Sequence, residues 1–379
     1  MRARGPAPLT RAQVAALPKV LLHDHLDGGV RPSTLLELGE VRGHQMPAQT
    51  PQELAAWFVQ ASSAGSLESY LGTFEHTLAV TQTAEDLTRV SREAVIDLAA
   101  DGVVLAELRY APEQHQRGGL EMQGVVDAVR AGLEDGVADV ASGGGRIRVA
   151  QILIAMRHAS RSTEVAQLAL ANRHKGVVGM DLAGAEVGHP VDRHRKALRL
   201  LRNASFPVTI HAGEAGGVSS IAEALHLGGA LRLGHGVRLV DDIRFGPSTA
   251  EDPYGLAHAE LGDVAHWVRD LRIPLELCPT SNVQTGAARD HATHPITALA
   301  QLGFTVTVST DNRLQSGTSP TEELWRLVEH AGWGIGEIEA VTVAAAEHAF
   351  AHHDERRALI EDVLLPAFRP DGARRRRGA

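Results

Sequence analysis

Short, near-continuously apolar runs alternate with helical stretches about eight times along this chain, and that alternation restricts the fold more than any other feature. The runs are Lys19–Gly29 (KVLLHDHLDGG), Val103–Tyr110, Arg146–Met156, Val177–Gly184, Phe206–Glu214, Leu231–Gly236, Ile273–Cys278 and Phe304–Asp311. Strands that are apolar on both faces belong to parallel sheets covered by helices, not to sheets with one wet face. The helices between them are readable too. Thr83-Ala84-Glu85-Asp86 resembles a capping box, with Asp where Glu or Gln is usual, and opens a helix ending near Gly102. Further helices are expected over Leu120–Val140, Thr163–Asn172, Arg193–Asn203, Ser219–Leu227, Gly262–Leu271 and Pro295–Leu302. The pattern predicts a (β/α)8 barrel as one domain over residues 19–366, with a helical extension from Pro320.

Three segments stand outside the alternation. Residues 1–18, rich in Pro and Arg, read as an extended lead-in, and 367–379 as a basic, disordered tail ending in Arg374–Arg377. Pro47–Thr81 is an insertion whose Leu67, Tyr70, Leu71 and Phe74 recur at i, i+3, i+4, i+7. That stripe fits either core packing or an apolar lid over a pocket.

Composition narrows the class of protein. A hydrophobic content of 44% is ample for a large core, and the single cysteine, Cys278, excludes a disulfide framework or a Cys-rich zinc ribbon. A net charge of −9 argues against nucleic acid or an anionic membrane as partner. No run approaches the ~18 apolar residues of a membrane span, and the N-terminal MRARGPAPLTRAQ lacks an apolar leader core. The expectation is a cytoplasmic protein with no obligate protein partner.

The strand ends carry the chemistry. His23 and His25 lie two apart, on one face; Phe206–Glu214 ends in His211 and Glu214; Leu233-Gly234-His235-Gly236 ends in His235; and Phe304–Asp311 ends in a carboxylate. In α/β barrels the C-terminal strand ends converge on the active site. With 20 histidines in the chain a single His-x-His means little, but the ordered set is specific. Imidazoles with a carboxylate suit zinc, which leaves a position open for water. Other patterns lack context. The glycine-rich Ser142–Gly145 has no phosphate-loop setting. His348 and His352 lie at i, i+4 in a helical segment but have no third ligand. His258-Ala259-Glu260 and His353-Asp354-Glu355 match the H-x-E of cytidine-type zinc deaminases without the required P-C-x-x-C. Glu107 and Arg109 read as a buried ion pair or part of a barrel-interior network.

Taken together, His23-Asp24-His25-Leu26-Asp27-Gly28, Asp181-Leu182-Ala183-Gly184, His211-Ala212-Gly213-Glu214, Leu233–Gly236 and Ser309-Thr310-Asp311 make the sequence resemble the adenosine deaminase family of metal-dependent hydrolases, over roughly Lys19 to Leu365. The resemblance implies a barrel holding one Zn2+ on His23, His25, His211 and Asp311. It implies that His235 takes or stabilises the proton of the attacking water while Asp311 orients that water. Glu214 would protonate N1 of the purine, a role that asks for burial and a raised pKa. The Gly184 N–H would bind N3, and His25 and Asp27 would lie near the ribose 5′-hydroxyl. One departure is visible: where the family commonly has a second aspartate contacting N7, this chain has Asn312, whose amide donates at any pH. Arg313 reads as the partner of a surface carboxylate. The implied reaction is hydrolysis of adenosine or 2′-deoxyadenosine to inosine or 2′-deoxyinosine plus ammonia, in purine salvage. Alternatives are deamination of aminofutalosine, adenine or AMP, or a nucleoside-binding or signalling relative. A non-deaminating barrel hydrolase acting on an amide or phosphoester would usually bring a carboxylated lysine or a second metal, and no lysine sits among these strand ends.

Overall fold

The computed structural model describes residues 9–249 and 251–369. Its centre is a parallel sheet of eight strands: β1 (Lys19–His25), β2 (Val103–Tyr110), β3 (Arg148–Met156), β4 (Val177–Ala183), β5 (Val208–Ala212), β6 (Arg232–His235), β7 (Leu275–Leu277) and β8 (Val306–Val308). Neighbours in space are neighbours in sequence throughout. The strands read as apolar on both faces because one face fills the barrel and the other lies under helices. All seven residues of β1 and all five of β5 are buried. The expected (β/α)8 barrel is therefore present.

Closure falls at a functional place. The β1–β8 seam is joined by the His25 N–H donating to the Asp311 carbonyl (2.7 Å) and the Asp311 N–H donating to the His23 carbonyl (3.0 Å). Asp24 and Asp311 form the bridge between the edges. The seam thus fixes His23, His25 and Asp311 relative to one another through backbone hydrogen bonds.

The insertion folds as three helices, Pro51–Ser62, Leu67–Gly72 and Phe74–Val80. Beyond the barrel, Pro320–Ala331, Ile335–His348 and His353–Leu359 are helical, as expected from Pro320 onward. Several details differ from the sequence reading. Arg11–Ala16 is a helix rather than an extended lead-in, because Thr10 and Gln13 complete a capping box. The Pro279-Thr280-Ser281-Asn282 segment, read as loop, starts a helix over Pro279–Gln284 with proline at its first turn. His348 and His352 do not share a helix face: the helix ends at His348, and Ala349 is extended with ψ 147°. A two-stranded antiparallel ribbon, Ile243–Arg244 with Glu260–Leu261, is too short to have left a periodic signal. Residues 1–8 and the arginine run Arg374–Arg377 lie outside the described residues. Among the described residues, no helix is long and apolar enough to cross a membrane.

Inside the barrel, Glu107 and Arg109 belong to one buried network but do not pair with each other. The Arg232 guanidinium donates to Glu107 (2.6 Å) and Glu276 (2.6 Å), and Arg109 donates to Glu276 (2.8 Å) and Asp181 (2.9 Å). At its lower end Arg232 donates to the His348 carbonyl (2.9 Å) and lies 3.6 Å from the Phe350 ring centroid. The C-terminal extension thereby closes the barrel floor. Removing one member of such a network leaves its partners as uncompensated buried charges. Arg232→Leu is therefore expected to lower unfolding free energy by about 3–5 kcal/mol, read as a lower urea midpoint.

Candidate active site

The residues singled out at the strand ends meet in one place. Ligand atoms of His23, His211, His235 and Asp311 all lie within 4.8 Å of one another. The fifth, His25, adjoins them: its Nε2 is 3.3 Å from Asp311 Oδ1 and 3.3 Å from His211 Nε2. His23 Nε2 is also 3.3 Å from Asp311 Oδ1. Two of these residues hold backbone conformations that β-carbon residues seldom adopt, His235 at φ 61° and Asp311 at φ 59°. Strain of this kind persists where surrounding structure imposes it, and here it turns both side chains inward from the strand ends.

Each ring is oriented from behind. His23 Nδ1 lies 3.1 Å from Glu276 Oε2, and His211 Nδ1 lies 3.0 Å from Asp181 Oδ2. A carboxylate accepts the Nδ1 proton, so each Nε2 lone pair points at the cluster. His23 Nε2 is buried and has no hydrogen-bond partner. Ser281 donates to Asp311 Oδ2 at 2.6 Å. His235 is held differently. Cys278 N–H donates to Asn282 Oδ1 (3.4 Å), which leaves the Asn282 amide to donate to His235 Nδ1 (3.0 Å). The proton of neutral His235 then sits on Nε2, 3.5 Å from Glu214 Oε2. Burial above all holds His235 well below the usual imidazole range, so it is neutral.

The two carboxyls of the site are driven apart. Glu214 is buried, and desolvation, then the charges of Asp311 and Glu186, push its carboxyl well above the ordinary range. Its Oε1 has no hydrogen-bond partner. Burial acts upward on Asp311 too, but the polar surroundings supplied by His23 first, and by His235 and His25, outweigh it and hold Asp311 well below the ordinary range.

A cavity of about 440 Å³ opens onto these groups. Its wall includes His25, Asp27, Gly184, Asn312, Glu214 and His235. The stripe Leu67, Tyr70, Leu71 and Phe74 lines the same cavity, so the insertion serves as a lid. Tyr70 pins it by a 2.8 Å hydroxyl–hydroxyl hydrogen bond to Ser316. Gly184 has φ 98°, and a β-carbon there would lie 3.0 Å from Met156 Cε. Asp27, desolvated by burial, is pushed up to about 7 and lies 3.8 Å from His115 Nε2. Asn312 is buried, and a β-carbon on Gly28 would collide with its Oδ1 at 2.0 Å. Arg313 departs from expectation: it donates to Asp24 Oδ2 (2.9 Å), a fully buried carboxylate at the barrel seam, not a surface one. The two H-x-E matches lie on the surface, with His258 and His353 both exposed.

The donor set fits a divalent cation. Several imidazoles and one carboxylate converge, two imidazoles are backed by carboxylates, and an unpaired Nε2 is buried among them. Sequence reasoning missed the backing groups Glu276, Ser281, Asn282 and Glu186. Only Glu276 had a visible signal, a carboxylate inside the apolar run Ile273–Cys278.

Fold and site define an enzyme built on a (β/α)8 barrel, with a cluster able to hold a metal ion beside a buried acid. The adenosine deaminase family model matches residues 18–365, and the chain belongs to that family. It is 51% identical over 363 residues to an adenosine deaminase of Mycobacteroides abscessus, covering 96% of this chain and 98% of that one. Among solved structures, an adenine deaminase from Arthrobacter aurescens superposes with a TM-score of 0.78 at 26% identity, covering 92% of this chain and 98% of that one. The N6-methyl-AMP deaminase of Arabidopsis thaliana gives 0.76 at 26% identity, covering 96% and 100%. The chain is thus a hydrolytic deaminase by family.

Backing carboxylates commonly set metal affinity. Asp181→Asn is expected to weaken binding of a divalent cation by about 10–100-fold, measured by competition with a chromogenic chelator. Wild-type affinity in that variant would show that Asp181 does not orient His211 for a ligand.

Proposed function

We propose that this enzyme converts adenosine and 2′-deoxyadenosine to inosine and 2′-deoxyinosine, releasing ammonia, with one Zn2+ held by His23, His25, His211 and Asp311. The observation that carries the reading is the Glu214 carboxyl: buried, kept in its acid form, and presenting an unpartnered Oε1 beside the histidine cluster. A purine needs such a group. Protonating N1 localises the ring electrons and makes C6 electrophilic, and only an acid that stays neutral in the pocket can do it. A cation bound at the cluster supplies Lewis acidity, which lowers the pKa of water toward neutrality.

The chain's own groups do the rest. Asp311, ionised and fixed by Ser281, orients the attacking water and accepts its proton. His235 holds its proton at Nε2, toward the pocket, and stabilises negative charge developing on the attacking oxygen. Glu214 gives its proton to N1 as the oxygen adds to C6. The proton held by Asp311 then passes to the N6 amine, the C6–N6 bond breaks and ammonia leaves, while the C6 hydroxyl gives its proton to the Glu214 carboxylate as C6=O forms, which restores the acid. The Gly184 N–H meets N3, the Asn312 amide donates to N7, and His25 and Asp27 meet the ribose 5′-hydroxyl. The lid stripe covers the base with apolar surface and excludes competing water. We read residues 19–366 as the unit carrying this activity.

Adenosine is favoured over other aminopurines by the relatives. Those about half identical carry the name adenosine deaminase, whereas the adenine and N6-methyl-AMP deaminases share 26% identity. The test is the ultraviolet spectrum of adenosine, adenine, AMP and aminofutalosine, each mixed with enzyme and followed over time. Conversion of adenosine, abolished by chelation and restored by Zn2+, is expected. Turnover of a different panel member alone would overturn the adenosine assignment.

Glu214→Gln is expected to lower kcat by about 10²–10⁴-fold while metal content and KM stay near wild type. The sign of the pH effect follows from the raised pKa. The working form is protonated, so wild-type kcat falls as pH rises through that pKa. This alkaline limb should be absent in Glu214→Gln.

A further inference from the structure

Glu186 stands behind the acid, outside the pocket. It is 6% exposed. Its carboxylate accepts from four successive backbone amides: Gly213 to Oε1 (2.7 Å), and Glu214 (3.1 Å), Ala215 (2.8 Å) and Gly216 (2.7 Å) to Oε2. Consecutive N–H groups curled around one anion form a nest, and each bond fixes the backbone torsions of a turn that is otherwise short and glycine-rich. Gly213 sits at φ 77°, and a β-carbon on Gly216 would lie 2.5 Å from Glu186 Oε1, so the turn fits the carboxylate closely. Gly184 and Ala185, immediately before Glu186, line the cavity. One short loop after β4 thus touches the substrate pocket and, one residue later, grips the turn that carries the acid.

The geometry points to Glu186 as a positioning residue for deamination: its carboxylate fixes the Gly213–Gly216 turn and so aims the Glu214 carboxyl at N1 of the substrate. The inference rests on the adenosine reading above. A glutamine at this position keeps the size of the side chain but replaces one acceptor oxygen with an NH2 that faces amide donors. The nest opens and Glu214 loses its aim. Misplacement by about 1 Å is enough to cost about 100-fold in rate.

The test is a double-mutant cycle on the zinc-loaded full chain, with Glu186→Gln, Glu214→Gln and both together. Turnover of adenosine, metal content and inhibition by 1-deazaadenosine are measured on each. That analogue has C–H in place of N1, so its binding gains nothing from Glu214. Glu186→Gln is expected to lower kcat by about 100-fold. KM, the 1-deazaadenosine inhibition constant and metal content should stay within about threefold of wild type. Added to Glu214→Gln, it should cause no further loss, because it acts only through that side chain. An equal loss in both backgrounds, weakened 1-deazaadenosine binding or loss of metal would overturn the inference and make Glu186 a general support of the pocket. If Glu186→Gln does not fold, Gly216→Ala crowds the carboxylate out of the nest while keeping its charge, and the same non-additive pattern is required of it. Wild-type enzyme that converts adenosine together with an additive cycle would sink only this inference. Wild-type enzyme inert to adenosine would overturn the reading of the site and this inference with it.

Discussion

The guanidinium of Arg109 is the interaction on which the site depends. Fully buried at the centre of the barrel, it bonds Asp181 on one side and Glu276 on the other. Those two carboxylates in turn hold the Nδ1 atoms of His211 and His23. One cation in the barrel core therefore sets the direction of two imidazoles whose residues lie 188 positions apart in the chain. With Glu107 and Arg232 the network contains three carboxylates and two guanidiniums. The residual negative charge lies directly beneath the histidine cluster. In a medium of low effective dielectric that excess is costly alone and favourable under a cation. The barrel interior is accordingly more than packing material: it prepares the electrostatics and the geometry of its upper rim.

The fold closes at the same rim. The β1–β8 seam is made by backbone hydrogen bonds of His23, His25 and Asp311. Asp24, between the two histidines, is paired with the Arg313 guanidinium and accepts a hydrogen bond from the Thr310 hydroxyl. Any opening of the seam would separate the histidines from Asp311. Stability of the sheet and assembly of the site are for that reason one process.

The sequence carried the barrel because parallel strands buried on both faces leave continuous apolar runs, and helices leave caps and a 3.6-residue period. It carried His23, His25, His211, His235, Glu214 and Asp311 because polar residues at the ends of such runs have no packing explanation. It did not carry the supporting groups. Asn282 and Ser281 sit in a short helix that looks like a turn, since Pro, Thr, Ser and Asn favour both. Glu186 lies in a loop, where a glutamate has no reason to draw notice until the four amides around it are seen. Arg313 was legible as charged, but its buried partner was not, because Asp24 lies 289 residues away in the chain. Non-local hydrogen bonds leave no period in the chain.

Division of labour between the two carboxyls follows from their surroundings, not from their identity. Asp311 faces imidazoles on several sides and accepts from a serine, so its ionised form is stabilised despite burial. Glu214 faces one neutral imidazole and an empty wall of the cavity, with Asp311 and Glu186 adding negative potential. The negative charge that stabilises a cation at the cluster thus also keeps the neighbouring acid protonated. An ionised and a protonated carboxyl can then coexist in one pocket at the same pH. Glu186 joins these effects mechanically: the anion that raises the proton affinity of Glu214 is the one whose four hydrogen bonds hold its backbone. Had the turn been held by a cation or by neutral groups, the geometry would survive but Glu214 would ionise more readily and lose the proton that the proposed reaction draws on.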